Sequence, residues 1–307
     1  MKSVCLAILN YNGISHLEHL MPSIPEALDG YAGPVSVVVL DNRSTKGDGE
    51  WMARNYPQYE FVTAPKNEYM YSYNWLAAQR DEDLFILLNN DTRLTPGFMA
   101  RITRHFAADD VFSVCASSLS WDGADKTCGP AHLRREHGFY RWGFECDRQE
   151  LCHTIFSSSG FMAVDRRKFL KIGGFSRLYY PMYCDDLDLG FRAWRRGWRS
   201  IYDPDCVVYH RENGSGVSEW VQRHNLRNSL LFEWSSLPTE QFAFERGPRI
   251  ANLIIRDLAG GRGQWLSVWR EARQIWSKER GNYPDTKITE AEYQNLVSRL
   301  DSPVPQT

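Results

Sequence analysis

The chain has 307 residues, of which 43% are hydrophobic and 24% charged, with a formal net charge of −2. That length is enough for one large α/β domain or two ordinary ones with a sizeable core, and the composition excludes disorder, collagen and coiled coil. Near-neutrality argues against a chain-wide polyanion binder, so no nucleic-acid partner is expected.

The first element is a strand, Ser3–Leu9, whose apolar run meets polar Asn10 too soon for a signal peptide. Val35–Asp41, Leu84–Leu88 and Val111–Ala116 are three more buried-strand runs. Between them the spacing predicts helices around Ile14–Leu28, Gly49–Asn55, Tyr71–Arg80 and Pro96–Ala107, the first made irregular by Pro22 and Pro25. Strands separated by helices imply right-handed βαβ units and a parallel sheet. Ser117–Thr154 lacks periodicity and reads as a loop that meets a substrate. Cys128, His132, His137, Cys146, Cys152 and His153 crowd its length, but their spacings match no common zinc pattern. From Trp220 onward the pattern is helical, over Arg223–Trp234, Arg249–Leu258, Trp265–Lys278 and Thr289–Leu300. No apolar run approaches the roughly 20 residues that span a bilayer, and seven cysteines without a Cys-x-x-Cys pair do not form a disulfide framework. A cytoplasmic protein is expected.

Parallel sheets bind ligands at the carboxyl ends of their strands. Polar residues cluster there three times: Asn10-Tyr11-Asn12-Gly13, Asp41-Asn42-Arg43-Ser44 and Asn89-Asn90-Asp91-Thr92. A single Asp after a strand is usually a turn or cap residue, but three such clusters mark a site. The glycine fingerprints of dinucleotide-binding and P-loop proteins are absent, so a nucleotide here would be held by side chains and a metal. Asp91 suits a hard divalent cation bridging two phosphates.

A second cluster runs from Cys184 to Arg192. Leu187, Phe191, Trp194 and Trp198 follow helical spacing and Gly197 is a natural stop. Asp185 and Asp186 then lie at a helix amino terminus, and Asp188 and Arg192 can pair along it. The helix dipole favours such charges by roughly 0.3–1 kcal/mol each, which accounts for one aspartate. The second is repelled by the first and is available as a general base. His210 closes the apolar run Cys206–Tyr209, either as a surface residue or as a further metal ligand. Phe139, Tyr140, Trp142, Tyr179, Tyr180 and Tyr183 could stack on the apolar face of a ligand, with about half of them expected in the core instead.

In this order and spacing the clusters resemble glycosyltransferase family 2, closest to its rhamnosyltransferase-like and galactofuranosyltransferase-like members. The resemblance rests on Leu9–Gly13, Val39–Thr45, Asn67–Asn74, Leu87–Thr92, Ser159–Met162, Ile172–Phe175, Asp185–Leu189, His210 and Arg227-Asn228, across residues 3–235. It implies the GT-A fold, a Rossmann-like α/β architecture with a mostly parallel mixed sheet flanked by helices, here with a C-terminal helical extension. Residues 1–117 would form the nucleotide-sugar half, 118–213 the acceptor-binding and catalytic half, and 214–307 the helical region. Asp41 would read the base or ribose near Asn10 and Asn12, with Asn67, Asn74, Asn89, Asn90 and Gly160 completing the donor side. Asp91 would bind Mn²⁺ or Mg²⁺ with His210 as a further ligand. Asn89 stands where the family's Asp-x-Asp motif usually opens with Asp, and Asp185 stands where Glu is usual. Asp186 would be the base, with Asp185, Trp142 and Tyr183 on the acceptor.

The implied reaction is inverting transfer of a sugar from a nucleotide-diphosphate donor, dTDP- or UDP-linked for preference, to a hydroxyl of an oligosaccharide or lipid-linked glycan. Bacterial surface polysaccharide synthesis is the implied setting. A non-catalytic homologue that binds sugar or a partner enzyme is the alternative; a nucleotidyltransferase would need a Gly-rich basic loop after the first strand. Residues 246–280 hold 8 basic and 3 acidic side chains with Trp265, Trp269 and Trp276 in step. They could touch the inner face of the cell membrane, pair subunits, or pack on the catalytic domain.

Overall fold

The computed structural model describes residues 1–136, 139–211, 218–236, 247–261, 263–283 and 287–305. Its strands in chain order are β1 (Val4–Asn10), β2 (Val35–Asp41), β3 (Glu60–Thr63), β4 (Leu84–Asn89), β5 (Thr92–Leu94), β6 (Val111–Ser120), β7 (Lys126–Cys128), β8 (Ala131–Glu136), β9 (Phe139–Phe144), β10 (Cys152–Thr154), β11 (Phe161–Asp165) and β12 (Arg199–His210). The helices are α1 (Ile14–Leu20), α2 (Ile24–Ala27), α3 (Asp48–Asn55), α4 (Ser72–Gln79), α5 (Phe98–Thr103), α6 (Arg166–Lys171), α7 (Asp185–Arg195), α8 (Glu219–Ser236), α9 (Gly247–Ala259), α10 (Gln264–Glu279) and α11 (Glu290–Leu300).

Ten strands form one mixed sheet with the spine β10-β12-β6-β11-β4-β1-β2-β3. The β1, β2, β3 and β4 strands are mutually parallel, as are β6 and β12, while β11 runs antiparallel between β4 and β6. The strands of the parallel block are apolar almost throughout because helices cover both faces. Val4 to Ile8 and Leu84 to Leu88 are buried without alternation. Register levels the polar ends: Asn10 pairs with Asp41 across β1 and β2, and Leu9 with Asn89 across β1 and β4.

The irregularity expected of Ile14–Leu28 is a 3₁₀ turn at Met21–Ser23 between α1 and α2, with Pro22 in the turn and Pro25 at the start of α2, each lacking a backbone donor. One expectation needs correction. The segment Ser117–Thr154 is largely strand rather than loop. There β6 continues to Ser120, β7 pairs back onto it, and β8 and β9 form a separate two-stranded hairpin. Ala131, Leu133 and Tyr140 turn inward on one face of the hairpin, while the paired Arg134 and Arg141 face water. Gly, His and Arg between the apolar positions hide this period-two pattern in the sequence. Among the crowded Cys and His residues, His137 lies outside the described residues.

The hairpin, α7 and the C-terminal helices share one apolar cluster that includes Tyr140, Phe191, Trp194, Phe232, Val268, Ala272 and Tyr293. Trp265, Trp269 and Trp276 pack against that cluster, so the tryptophan stripe faces the body of the protein. Glu271 joins α10 to α8 by accepting from Arg223 at 2.6 Å and Arg227 at 2.9 Å. A capping box at Thr289 and Glu292 starts α11.

The predicted Asp188–Arg192 pair forms at 2.7 Å with both side chains buried. Arg192 also donates to the carbonyls of Ile172 at 2.6 Å and Gly174 at 2.8 Å. Asp188 accepts from the hydroxyls of Tyr179 and Tyr283, so one pair ties α7 to the preceding turn and to the C-terminal region. Removing one partner of a buried ion pair leaves the other charge uncompensated, at a cost of about 3–5 kcal/mol. Arg192→Met is expected to lose stability on that scale in equilibrium urea unfolding.

Candidate active site

The rim at the carboxyl ends of β1 and β2 is built from groups that first bind one another. Asn10, buried at the end of β1, donates its amide toward Asp48 Oδ1 at 2.9 Å and Asp41 Oδ1 at 3.2 Å. It accepts in turn from Asn90 Nδ2 at 2.8 Å. The Gly13 N–H donates to Asp48 Oδ1 at 2.7 Å. A Cβ on Gly13 would lie 2.0 Å from Asn90 Nδ2, so only glycine allows this approach. Asn12, at φ 50°, accepts from Thr45 N at 2.8 Å, and its own N–H donates to Ser44 Oγ at 2.7 Å. Asp41 accepts from Ser44 N at 2.9 Å. These bonds fix the loops after β1 and β2 as one rim.

Asp48 went unread in the sequence. An acid in the first turn of a helix is indistinguishable from ordinary dipole complementation until Gly13 and Asn10 are seen bound to it. Asn67 is exposed on the adjoining loop. Asn74 is engaged elsewhere: its amide donates to Phe175 O and accepts from Phe175 N, both at 2.9 Å, which pins the Gly173–Phe175 turn.

Asp91 and His210 are brought together by register. Thr92 of β5 pairs with His210 of β12, and Arg211 N donates to Asp91 O at 2.9 Å. Asp91 Oδ1 then lies 3.3 Å from His210 Nε2 and is buried without a hydrogen-bond partner. A carboxylate oxygen facing an imidazole nitrogen is a fitting donor set for a divalent cation. Among the described residues no group of three or more His, Cys, Asp or Glu could hold a metal. Phosphate oxygens and water would therefore have to complete its coordination, as is usual for Mg²⁺.

The carboxylate pair heads α7 as the spacing predicted. Tyr183 and Cys184 precede it at φ 73° and 65°. Asn228 of α8 holds that turn by donating to the carbonyls of Tyr179 at 2.7 Å, Met182 at 2.8 Å and Tyr183 at 2.9 Å. Arg227 adds a bond to Tyr180 O at 2.6 Å. Asp186 Oδ2 accepts from Ser159 N at 3.2 Å, whereas its Oδ1 is buried with no hydrogen-bond partner. Burial raises the Asp186 carboxyl to about 6, against a lowering by the Ser159 bonds. Burial raises Asp185 well above the usual carboxylate range, and the neighbouring Asp186 charge raises it further. Tyr183 is half-buried, and burial followed by the Asp185 charge raises its hydroxyl.

Ser159, Gly160 and Phe161 join the two halves. Ser159 bonds Asp186, Gly160 O accepts from Asn89 N at 2.8 Å, and the Phe161 ring meets His210 edge-on at 5.9 Å. A Cβ on Gly160 would sit 2.9 Å from Asn89 Nδ2. Trp142 lies apart from this turn, in a cavity of about 350 Å³ under the β8–β9 hairpin with Leu226, Leu230 and Trp265. Tyr140 and Tyr179 are core residues, and so is Trp194.

A sequence profile described as Glycosyltransferase like family 2 matches residues 4–229. The chain belongs to that family. It is a glycosyltransferase, and its mixed sheet with flanking helices is the GT-A fold. Curated relatives include the N-acetylglucosaminyl-diphospho-decaprenol L-rhamnosyltransferase of two Mycobacterium tuberculosis strains. Each is 28% identical over 240 residues, which cover 68% of this chain and 76% of theirs. Among solved structures, GalNAc-T7 with UDP, GalNAc and Mn²⁺ superposes with a TM-score of 0.62 at 13% identity. That match covers 93% of this glycosyltransferase but only 58% of GalNAc-T7. The mannosyltransferase PcManGT of Pyrobaculum calidifontis, in complex with GDP-Man and Mn²⁺, gives 0.53 at 14% identity, covering 97% of this chain and 84% of its own. S. aureus TarS 1-349 in complex with UDP-GlcNAc gives 0.55 at 14% identity, with 90% and 81% covered.

Burial of Asp186 has a stability consequence. Its folded pKa lies above that of the unfolded chain, so the folded state holds the proton more tightly and stability falls as pH rises from about 4 to about 6. Asp186→Asn cannot ionise, so it is expected to unfold at a higher temperature than the parent at pH 8 and at nearly the same temperature at pH 4. Thermal melts at both pH values check this; an equal gap at both would contradict it.

Proposed function

We propose that this glycosyltransferase is an inverting, metal-dependent enzyme with Asp186 as its general base. The observation that carries the reading is Asp186 Oδ1: a buried oxygen without a hydrogen-bond partner on a carboxyl raised to about 6. Such a group is ionised at neutral pH yet basic enough to take a proton. The acceptor hydroxyl gives its proton to Oδ1 as its oxygen attacks the anomeric carbon. The bond from that carbon to the nucleoside diphosphate breaks on the opposite side, and the negative charge leaves with the diphosphate. Asp185 and Tyr183 would line the acceptor approach beside the base, while Trp142, in its own cavity under the hairpin, is left out of it. The rim made by Asn10, Asn12, Asp41 and Asn90 receives the base and ribose of a dTDP- or UDP-sugar.

Asp91 and His210 would hold Mn²⁺ or Mg²⁺, supported by their 3.3 Å approach. A cation there supplies charge neutralisation to the departing diphosphate. We assign a lipid-linked glycan as acceptor because the curated relative is named for a diphospho-decaprenol substrate. No helix among the described residues is long and apolar enough to cross a membrane. Contact with the bilayer would fall to α9, which exposes Ile255 and Leu258 beside Arg249 and Arg256.

General-base assistance is typically worth about 10²–10⁴-fold. Asp186→Asn is expected to reduce turnover on that scale with donor affinity unchanged. In the parent enzyme kcat/KM should rise with pH through about 6, because the base must be ionised. Near-parental transfer by the variant would remove Asp186 from the role. Asp91→Asn and His210→Ala are each expected to raise the Mn²⁺ concentration needed for half-maximal activity by about tenfold or more. A metal titration of initial rates measures this, and an unchanged midpoint in both would contradict the ligand assignment.

A further inference from the structure

Beside the Asp91–His210 pair lies a cluster that the reaction above does not use. Arg93 of β5 pairs in register with Tyr209 of β12, one residue from His210. Its guanidinium sits 4.2 Å from the centre of the Tyr209 ring and 5.1 Å from that of Trp121, so two aromatic rings cover it. Arg211, which follows His210 and bonds Asp91 O through its backbone, places its guanidinium 5.9 Å from the same indole. His19 of α1 meets Trp121 edge-on at 5.6 Å.

Two arginines therefore share one tryptophan, and among the described residues neither has a carboxylate partner. Asp122, which follows Trp121, is turned onto Ser120 Oγ at 2.6 Å and Ala124 N at 3.1 Å. Aromatic stacking engages the faces of a guanidinium and leaves its N–H edges free. Two like charges on one ring repel each other, and an anion between them would relieve that repulsion. A phosphate group matches the fork geometry of arginine better than any other common anion.

We propose that Arg93, Trp121 and Arg211 form a phosphate-binding site that acts without the metal. Its ligand is a phosphoryl or diphosphoryl group, borne either by a lipid headgroup or by a soluble or substrate molecule.

The test is calorimetric titration of inorganic pyrophosphate into the full-length protein with EDTA present. The parent is expected to bind. The double variant Arg93→Gln, Arg211→Gln is expected to bind about tenfold more weakly or worse. The exposed single variant Arg211→Gln is expected to show a smaller loss and keeps the test open if the double variant does not fold. Cosedimentation with phosphatidylglycerol vesicles separates the sources. Vesicle binding lost along with pyrophosphate binding assigns the anion to a lipid headgroup. Vesicle binding unchanged while pyrophosphate binding is lost assigns it to a soluble or substrate-borne group. No binding of pyrophosphate by the parent, or equal binding by the folded variants, overturns the proposal.

Discussion

The turn Ser159-Gly160-Phe161 is the constraint on which the site depends. In three consecutive residues it touches the carboxylate at the head of α7, the end of β4 and the imidazole at the end of β12. Those elements are far apart in the chain, and β11, which leaves the turn, is the antiparallel strand that joins β4 to β6. Its middle residue is glycine, and a Cβ there would press on the Asn89 amide at 2.9 Å. The relative placement of Asp186, Asn89 and His210 thus depends on one short turn.

The acidic pair is costly to hold, and the C-terminal helices supply what holds it. Two adjacent carboxyl groups are taken out of water, and burial raises both. The turn that aims them is clamped by Asn228 and Arg227 from α8, and Arg227 is braced by Glu271 from α10. Asp188 and Arg192, one turn further along α7, are locked to the Gly174 turn and to Tyr283. The desolvation of the pair is offset by packing well away from it.

Much of this was legible in the sequence. The long apolar runs of β1, β2 and β4 announced buried parallel strands, and the polar residues that end them lie level because register in such a sheet is tight. The helical spacing after Asp186 announced α7, and the i,i+4 pair within it formed. What could not be read were bonds between distant residues. Asp48 reaches Gly13, Ser159 reaches Asp186 and Asn228 reaches Tyr183 across 35, 27 and 45 residues, and none leaves a local pattern. The family resemblance implied a donor-side place for Asn74, yet a backbone 101 residues away takes both ends of its amide. The β8–β9 hairpin escaped because its alternation is diluted by glycine and charge.

The proposed direct displacement with Asp186 as base would fix the stereochemistry, since attack and departure would occur on opposite faces of one carbon. The most direct measurement is the anomeric configuration of the first-formed product, by NMR, from a donor of known configuration. Inversion is expected. A product that keeps the donor's configuration would contradict a single displacement and, with it, the role given to Asp186.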